Sequence, residues 1–185
     1  MKEKLKRYAV LFIKEIIPIT AGILIALFID NWNAGRKDKA YINQVFTTIK
    51  SELKESKEDI ISTIPQQESL IHSLDIHAND TNISVLDLVM QAKGIYIAKI
   101  KLNAWKSVST TKIDLIDYNK ITTLSNLVEL KETLTNKSDF LMSYLYTNIN
   151  ATDKNTKQTF KMILMDILQT ERTMQQNIEL FEKEQ

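Results

Sequence analysis

The stretch IIPITAGILIALFI, residues 16–29, decides how the whole chain is read: fourteen residues without a charge, nine of them Ile, Leu or Phe. A helix needs about 20 predominantly apolar residues to cross a bilayer. Widening the window to Ile13–Trp32 supplies twenty and takes in Lys14, Glu15 and Asp30 near the ends. At roughly −0.3 to −0.6 kcal/mol each, the nine large apolar side chains favour insertion by on the order of 3–5 kcal/mol. The three charges lie near the edges, where their cost falls and the Lys14 stem can carry its ammonium to the headgroups. Trp32 suits the aromatic belt at the far interface and Tyr8 the near one. The pattern predicts a cationic flank over residues 1–12, a transmembrane helix over 13–33 and a separate body over 34–185.

Two other readings compete for the same stretch. The core helix of a soluble protein is equally apolar, but it has no reason to carry Lys2, Lys4, Lys6 and Arg7 on one flank and Trp32-Asn33 on the other. A cleaved signal peptide has an apolar region of this length, but it needs small residues before the cut. Here Asp30, Asn31, Trp32 and Asn33 follow instead. A retained anchor is therefore expected, with Lys4, Lys6, Arg7 and Trp32 as interfacial anchors. Four early cations against Arg36, Lys37 and Lys39 beyond the span give a small bias toward a cytoplasmic N-terminus.

Within the span, Glu15, Gly22 and Ala26 fall on nearly one helical face, with Pro18 one step away. Small residues four apart let two helices approach closely, so these four residues form the candidate packing face. Glu15 has two readings: an acid hydrated at headgroup depth, which is preferred, and a functional intramembrane carboxylate.

The rest of the composition agrees with a helical protein. Only three Gly and two Pro occur in 185 residues, too few for the tight turns of a sheet-rich fold. The absence of Cys removes disulfide and thiolate chemistry. Residues 34–185 hold 19 Lys/Arg against 20 Asp/Glu, which leaves no basic footprint for nucleic acid. The cationic N-terminal end suits an anionic lipid leaflet.

Along the body, Ile42, Phe46, Ile49, Leu53, Ser56 and Ile60 recur in steps of four and three, a coiled-coil-like stripe. Lys50, Glu52, Lys54, Glu55, Lys57 and Glu58 are read as its solvated face. Gly35 is expected to interrupt the helix, and Pro65 to end or kink it. A shorter piece follows with Leu70, Leu74 and His77 on one face, then a loop at Asn79–Asn82. Ser84 with Asp87 reads as a capping box and Gly94 as a stop, giving a short helix near 85–93. Ile95-Tyr96-Ile97 resembles a strand without a partner. Leu124, Leu127, Leu130, Leu134, Leu141 and Leu145 mark a helix from about 120 to 148, and Asp153 an N-cap. The last helix carries the most regular stripe: Phe160, Leu164, Ile167, Glu171, Met174, Ile178 and Phe181. Glu171, its one polar member, is expected where the seam opens to water, with a Lys partner or a role in setting register as alternatives.

Chemistry is sparse. His72 and His77, five apart, project about 140° from one another on a helix and share no metal face. His77 is read as a packed core histidine. Three scattered glycines draw no phosphate-binding loop, and no serine has a nucleophile elbow around it. Asp114 and Asp117 are read as capping residues in preference to a paired-carboxylate site, and Trp105 as a core anchor in preference to a stacking platform. No catalytic, cofactor-binding or metal-binding residues are assigned.

The stretch KEIIPITAGILIALFIDNWN, residues 14–33, resembles the N-terminus of an uncharacterised family of bacterial, flavobacterial-type single-span membrane proteins. Its members show Gly-Glu-Ile, then Gly-Ile-Leu-Ile-Ala-Leu, then Asn-Asn-Trp-Asn and a charged helix. Glu15-Ile16, Gly22–Leu27 and Asn31-Trp32-Asn33 match, whereas Lys14 and Asp30 stand where the family has Gly and Asn. LNAWKSVSTTKIDLI, residues 102–116, is similar to a second family segment, with Thr110-Thr111-Lys112 where a Gly pair is usual. The resemblance implies an anchor in a bacterial inner membrane and a helical body, and it implies no activity.

The expected fold is all-α: one N-terminal transmembrane helix, then an antiparallel bundle of three or four longer helices with short helices at 66–94 and 103–117. The expected function is a membrane-anchored, non-enzymatic interaction module that binds the lipid bilayer and a protein partner or a second copy of itself, with no nucleic acid and no cofactor. The alternative is an extracytoplasmic helical domain that senses a small molecule.

Overall fold

A computed structural model describes the backbone of residues 2–183 and the side chains of residues 12–183. Among these residues the chain forms five α-helices and no strand: α1 (Lys2–Ile76), α2 (Val85–Gln91), α3 (Asn103–Ser109), α4 (Tyr118–Thr147) and α5 (Lys154–Lys183), with a 3-10 turn at Ile113–Leu115 between α3 and α4. The all-α class and the helical bundle are as the sequence predicts. The chain divides into two compact units, Met1–Gln44 and Val45–Gln185.

The first unit is helical from Lys2. Phe12, Ile13, Ile17, Ile19, Leu24 and Phe28 are all exposed, and none of the most apolar window is covered by the rest of the chain. The helix is not interrupted at Gly35.

The second unit, the body, is built on three long helices. Cross-links between α1 and α5 run in opposite order along the two: Lys57 with Glu182, Glu68 with Arg172 and Asp75 with Lys161. The two helices are therefore antiparallel. Between α4 and α5, Lys137 pairs with Asp166 at 2.8 Å and the Tyr144 hydroxyl donates to the Thr156 carbonyl, again antiparallel. The Lys120 ammonium at the start of α4 lies 4.9 Å from the Phe46 ring, so α4 runs parallel to α1. The core is the meeting of three stripes: Ile49, Leu53, Ile60, Leu70 and Leu74 of α1, Leu124, Leu127, Leu134, Leu141 and Leu145 of α4, and all seven seam residues of α5.

Besides the expected interruption at Gly35, a second expectation fails in the fold. Pro65 does not end the helix, which continues to Ile76. Proline removes the N–H that would bond the Ile61 carbonyl. Pro65 and Ile61 both lie on the exposed side, where water can take that carbonyl at little cost. Residues 66–76 therefore belong to α1.

The helix ends are capped from the sequence positions expected. The Ser84 hydroxyl accepts from Asp87 N–H and the Asp87 carboxylate accepts from Ser84 N–H, a complete capping box. Those bonds to Ser84 hold the Asp87 carboxyl below its usual range. Asp117 accepts from Asn119 N–H at 3.0 Å, and Asp153 from Thr156 N–H at 3.0 Å. After α2, Gly94 takes φ +112°, and its N–H bonds to the Val89 carbonyl at 2.9 Å. A side chain is strained in that conformation, which is why the stop is glycine.

Candidate membrane anchor and the clamped face of the body

Two places stand out: the bare apolar helix of the first unit, and the face of the body where α1 and α5 grip an irregular segment.

On the first, the predicted packing residues Glu15, Pro18, Gly22 and Ala26 are all exposed. A methyl group added at Gly22 would meet nothing within 4 Å, so no part of this chain packs on that face. Trp32 is exposed, and the Arg36 guanidinium lies over its indole, 5.1 Å from the ring centroid. A cation on an aromatic face one turn beyond an apolar run is a pairing suited to the headgroup layer. The side chains of Lys4, Lys6 and Arg7 lie outside the described residues. The core-helix reading is overturned, because 0% of the apolar window is buried. Pro18 frees the carbonyl of Lys14, at the edge of the apolar run and next to Glu15.

On the second, residues 95–102 form no regular structure, yet Ala98, Ile100 and Leu102 are buried. Buried backbone groups need partners, and here side chains supply them. Ala98 N–H donates to Glu171 Oε1 at 2.8 Å, Lys99 N–H to Asp59 Oδ2 at 2.6 Å, and Lys101 N–H to the Ser56 hydroxyl at 2.8 Å. Just beyond, Ala104 N–H at the start of α3 donates to Glu52 Oε2 at 3.0 Å. The Tyr96 carbonyl accepts from Gln67 Nε2 at 2.9 Å. The Lys101 ammonium pairs with Glu55, lowering the Glu55 pKa and raising its own.

The seam residues Phe160, Leu164, Ile167, Glu171, Met174, Ile178 and Phe181 are brought together in the core. Glu171 corrects the expectation of an opening to water: it is 0% exposed, and burial pushes its carboxyl above the usual range. The face read as solvated is also partly engaged, since Glu52, Glu55 and Lys57 each hold another element. His77 is not a packed core histidine. It sits just past α1, half-buried, 3.7 Å from Asp80. Trp105 is buried as expected.

Lys157 was missed by sequence reasoning. It is fully buried, and its ammonium donates to the His77 carbonyl at 2.9 Å and to the Asp80 carbonyl. A lysine at helix position three before the first apolar residue of a seam, facing another helix's C-terminus, could have signalled this role. Between α3 and α4, a groove of about 650 Å³ is lined by Trp105, Lys106, Ile113, Val128, Lys131 and Glu132 among others.

No protein-family model matches the chain, and neither a curated protein nor a solved structure matches it.

Proposed function

We propose that this chain is a membrane-anchored, non-enzymatic helical module whose body binds a protein partner or a second copy of itself. The observation that carries the reading is the bare apolar run of the first unit. A soluble monomer rarely exposes a contiguous apolar patch beyond a few hundred Å², and a bilayer is the partner that covers a whole helix circumference. The early cations and the resemblance at residues 14–33 support a bacterial inner membrane, an N-terminus in the cytoplasm and a body in the periplasm. The non-enzymatic part rests on the sequence, which offers no nucleophile with an adjacent base and no shared ligand face.

Affinity purification of the tagged full chain from native membranes, with mass spectrometry and mass determination in detergent, tests the interaction. The expected result is a stoichiometric partner or a mass above one chain; recovery of a bare monomer contradicts the proposal. Gly22→Leu separates the two modes. Because the position is open in the single chain, the substitution leaves folding intact. It weakens self-association if the small-residue face is the contact and leaves a body-mediated partner in place.

The groove beside Trp105 favours a second reading, small-molecule sensing. Its volume falls in the range of ligand clefts, and it mixes an aromatic wall with charged residues. Stabilisation of the full chain by several degrees with one compound class, lost in Trp105→Ala or Lys131→Ala, would support it; no hit across a metabolite library would count against it.

A further inference from the structure

Among the described residues, two buried side-chain oxygen atoms lack a hydrogen-bond partner: Gln67 Oε1 on α1 and Glu171 Oε2 on α5. Their residues are 1% and 0% exposed. Both atoms are pure acceptors as long as Glu171 is ionised, and a buried acceptor without a donor is costly. The two side chains grip the same segment two residues apart, Gln67 Nε2 on the Tyr96 carbonyl and Glu171 Oε1 on Ala98 N–H. One position further along both helices, Arg172 and Glu68 are paired at 2.5 Å, which fixes the helix register at this level. One proton shared between the two would give both orphan oxygens a partner at once.

The geometry points to Glu171 being a carboxylic acid in the folded protein, its Oε2–H donating to Gln67 Oε1 as a proton-operated latch on residues 95–102. Ala98 N–H donates to Glu171 Oε1, Glu171 Oε2–H to Gln67 Oε1, and Gln67 Nε2–H to the Tyr96 carbonyl. The three bonds close a ring that runs from the segment through α5 and α1 and back to the segment. Bonds linked in this way polarise one another in a low-dielectric interior. Turning the Gln67 amide over does not substitute for the proton, because the Tyr96 carbonyl would then face an amide oxygen.

The surroundings agree. Burial raises the Glu171 pKa most, and nearby Asp59 adds to the rise; the bond from Ala98 N–H and the neighbouring Gln67 amide oppose it. The neighbouring cations are engaged elsewhere, Arg172 by Glu68 and, on α4, Lys137 by Asp166 and Thr170. From the segment, the backbone of Lys99 is taken by Asp59. A group with a raised folded pKa binds its proton more tightly in the native state. Its stabilising contribution is complete below the unfolded value and is lost as pH rises through the folded one. Residues 95–102 therefore loosen on the alkaline side. The latch lies wholly in the body and does not depend on the anchor.

Two measurements on the full chain in detergent test this. In the first, melting temperature is followed from about pH 5 to pH 9, across the range that a raised Glu reaches, for the native chain and Glu171→Gln. The glutamine keeps the acceptor for Ala98 and supplies a permanent donor for Gln67. It is expected to melt as high as the native chain at the acid end and to lack the native chain's fall of several degrees toward the alkaline end. Equal pH dependence in the two proteins, or a Glu171→Gln melt well below native at every pH, overturns the latch. In the second, carbon NMR of the labelled native chain reads the Glu171 carboxyl directly at about pH 6, where an ordinary Glu is ionised. A protonated carboxyl is expected, and a carboxylate shift overturns the proposal without reference to any variant.

Discussion

Lys157 shows how much a single side chain can settle in this molecule. A buried ammonium is expensive unless its donors are used, and here they reach the carbonyls of His77 and Asp80 in the turn that follows α1. Lys157→Met keeps much of the volume and removes the donors. It is expected to lower stability by about 1–3 kcal/mol, seen as a drop in melting temperature of the full chain; an unchanged melt would mean that water serves those carbonyls equally well. The carboxylates with local hydrogen bonds make a pH prediction of opposite sign to the Glu171 latch. Asp87, Asp153 and Asp80 are held below the usual range, chiefly by bonds to Ser84, Thr156 and Asn82. A depressed carboxylate contributes stability above its unfolded value and loses it as pH falls through the folded one. Acid melts between about pH 5 and pH 2 should therefore be less steep in Asp87→Asn than in the native chain. The caps at Asp87 and Asp153 were legible in the sequence, because each is a local pattern of two residues three positions apart. Lys157 and Glu171 were not, since what pairs with them lies far away along the chain.

At the scale of elements, α1 holds the main lesson. Its buried stripe runs Ile49, Leu53, Ser56, Ile60, Thr63, Gln67, Leu70 and Leu74, an unbroken alternation of four and three across Pro65. Polar Thr63 and Gln67 at core positions hid that continuity, and the proline made a boundary there plausible. Since helix propensity disfavours interior proline by about 3 kcal/mol relative to alanine, Pro65→Ala should stabilise the body by roughly 1–3 kcal/mol; a neutral or destabilising result in denaturant titration would put the helix end back at Pro65. Two polar members of the stripe, Ser56 and Gln67, hold residues 95–102. Ser56→Ala removes the acceptor for Lys101 N–H and is expected to cost about 1–2 kcal/mol. Amide exchange should rise at Lys101 more than in α4. The six apolar positions of the α5 seam, by contrast, were readable, because their strict alternation leaves one face for the core. Phe160→Ala there should cost about 3–5 kcal/mol.

At the scale of the whole molecule, the division of the chain into an apolar helical unit and a body follows from where apolar surface finds cover. The body buries its three stripes against one another. No residue in the run from Phe12 to Ile29 is buried, and a helix apolar on all sides calls for an apolar surrounding rather than a partner on one face. The most direct test of that central claim is extraction of membranes from cells expressing the tagged full chain, with alkaline carbonate and then with detergent. The account predicts that the native chain stays in the pellet through carbonate and is released by detergent, whereas a chain with Ile23→Asp and Ile25→Lys shifts to the supernatant. Recovery of the native chain as a monodisperse monomer in the carbonate or detergent-free supernatant would contradict it.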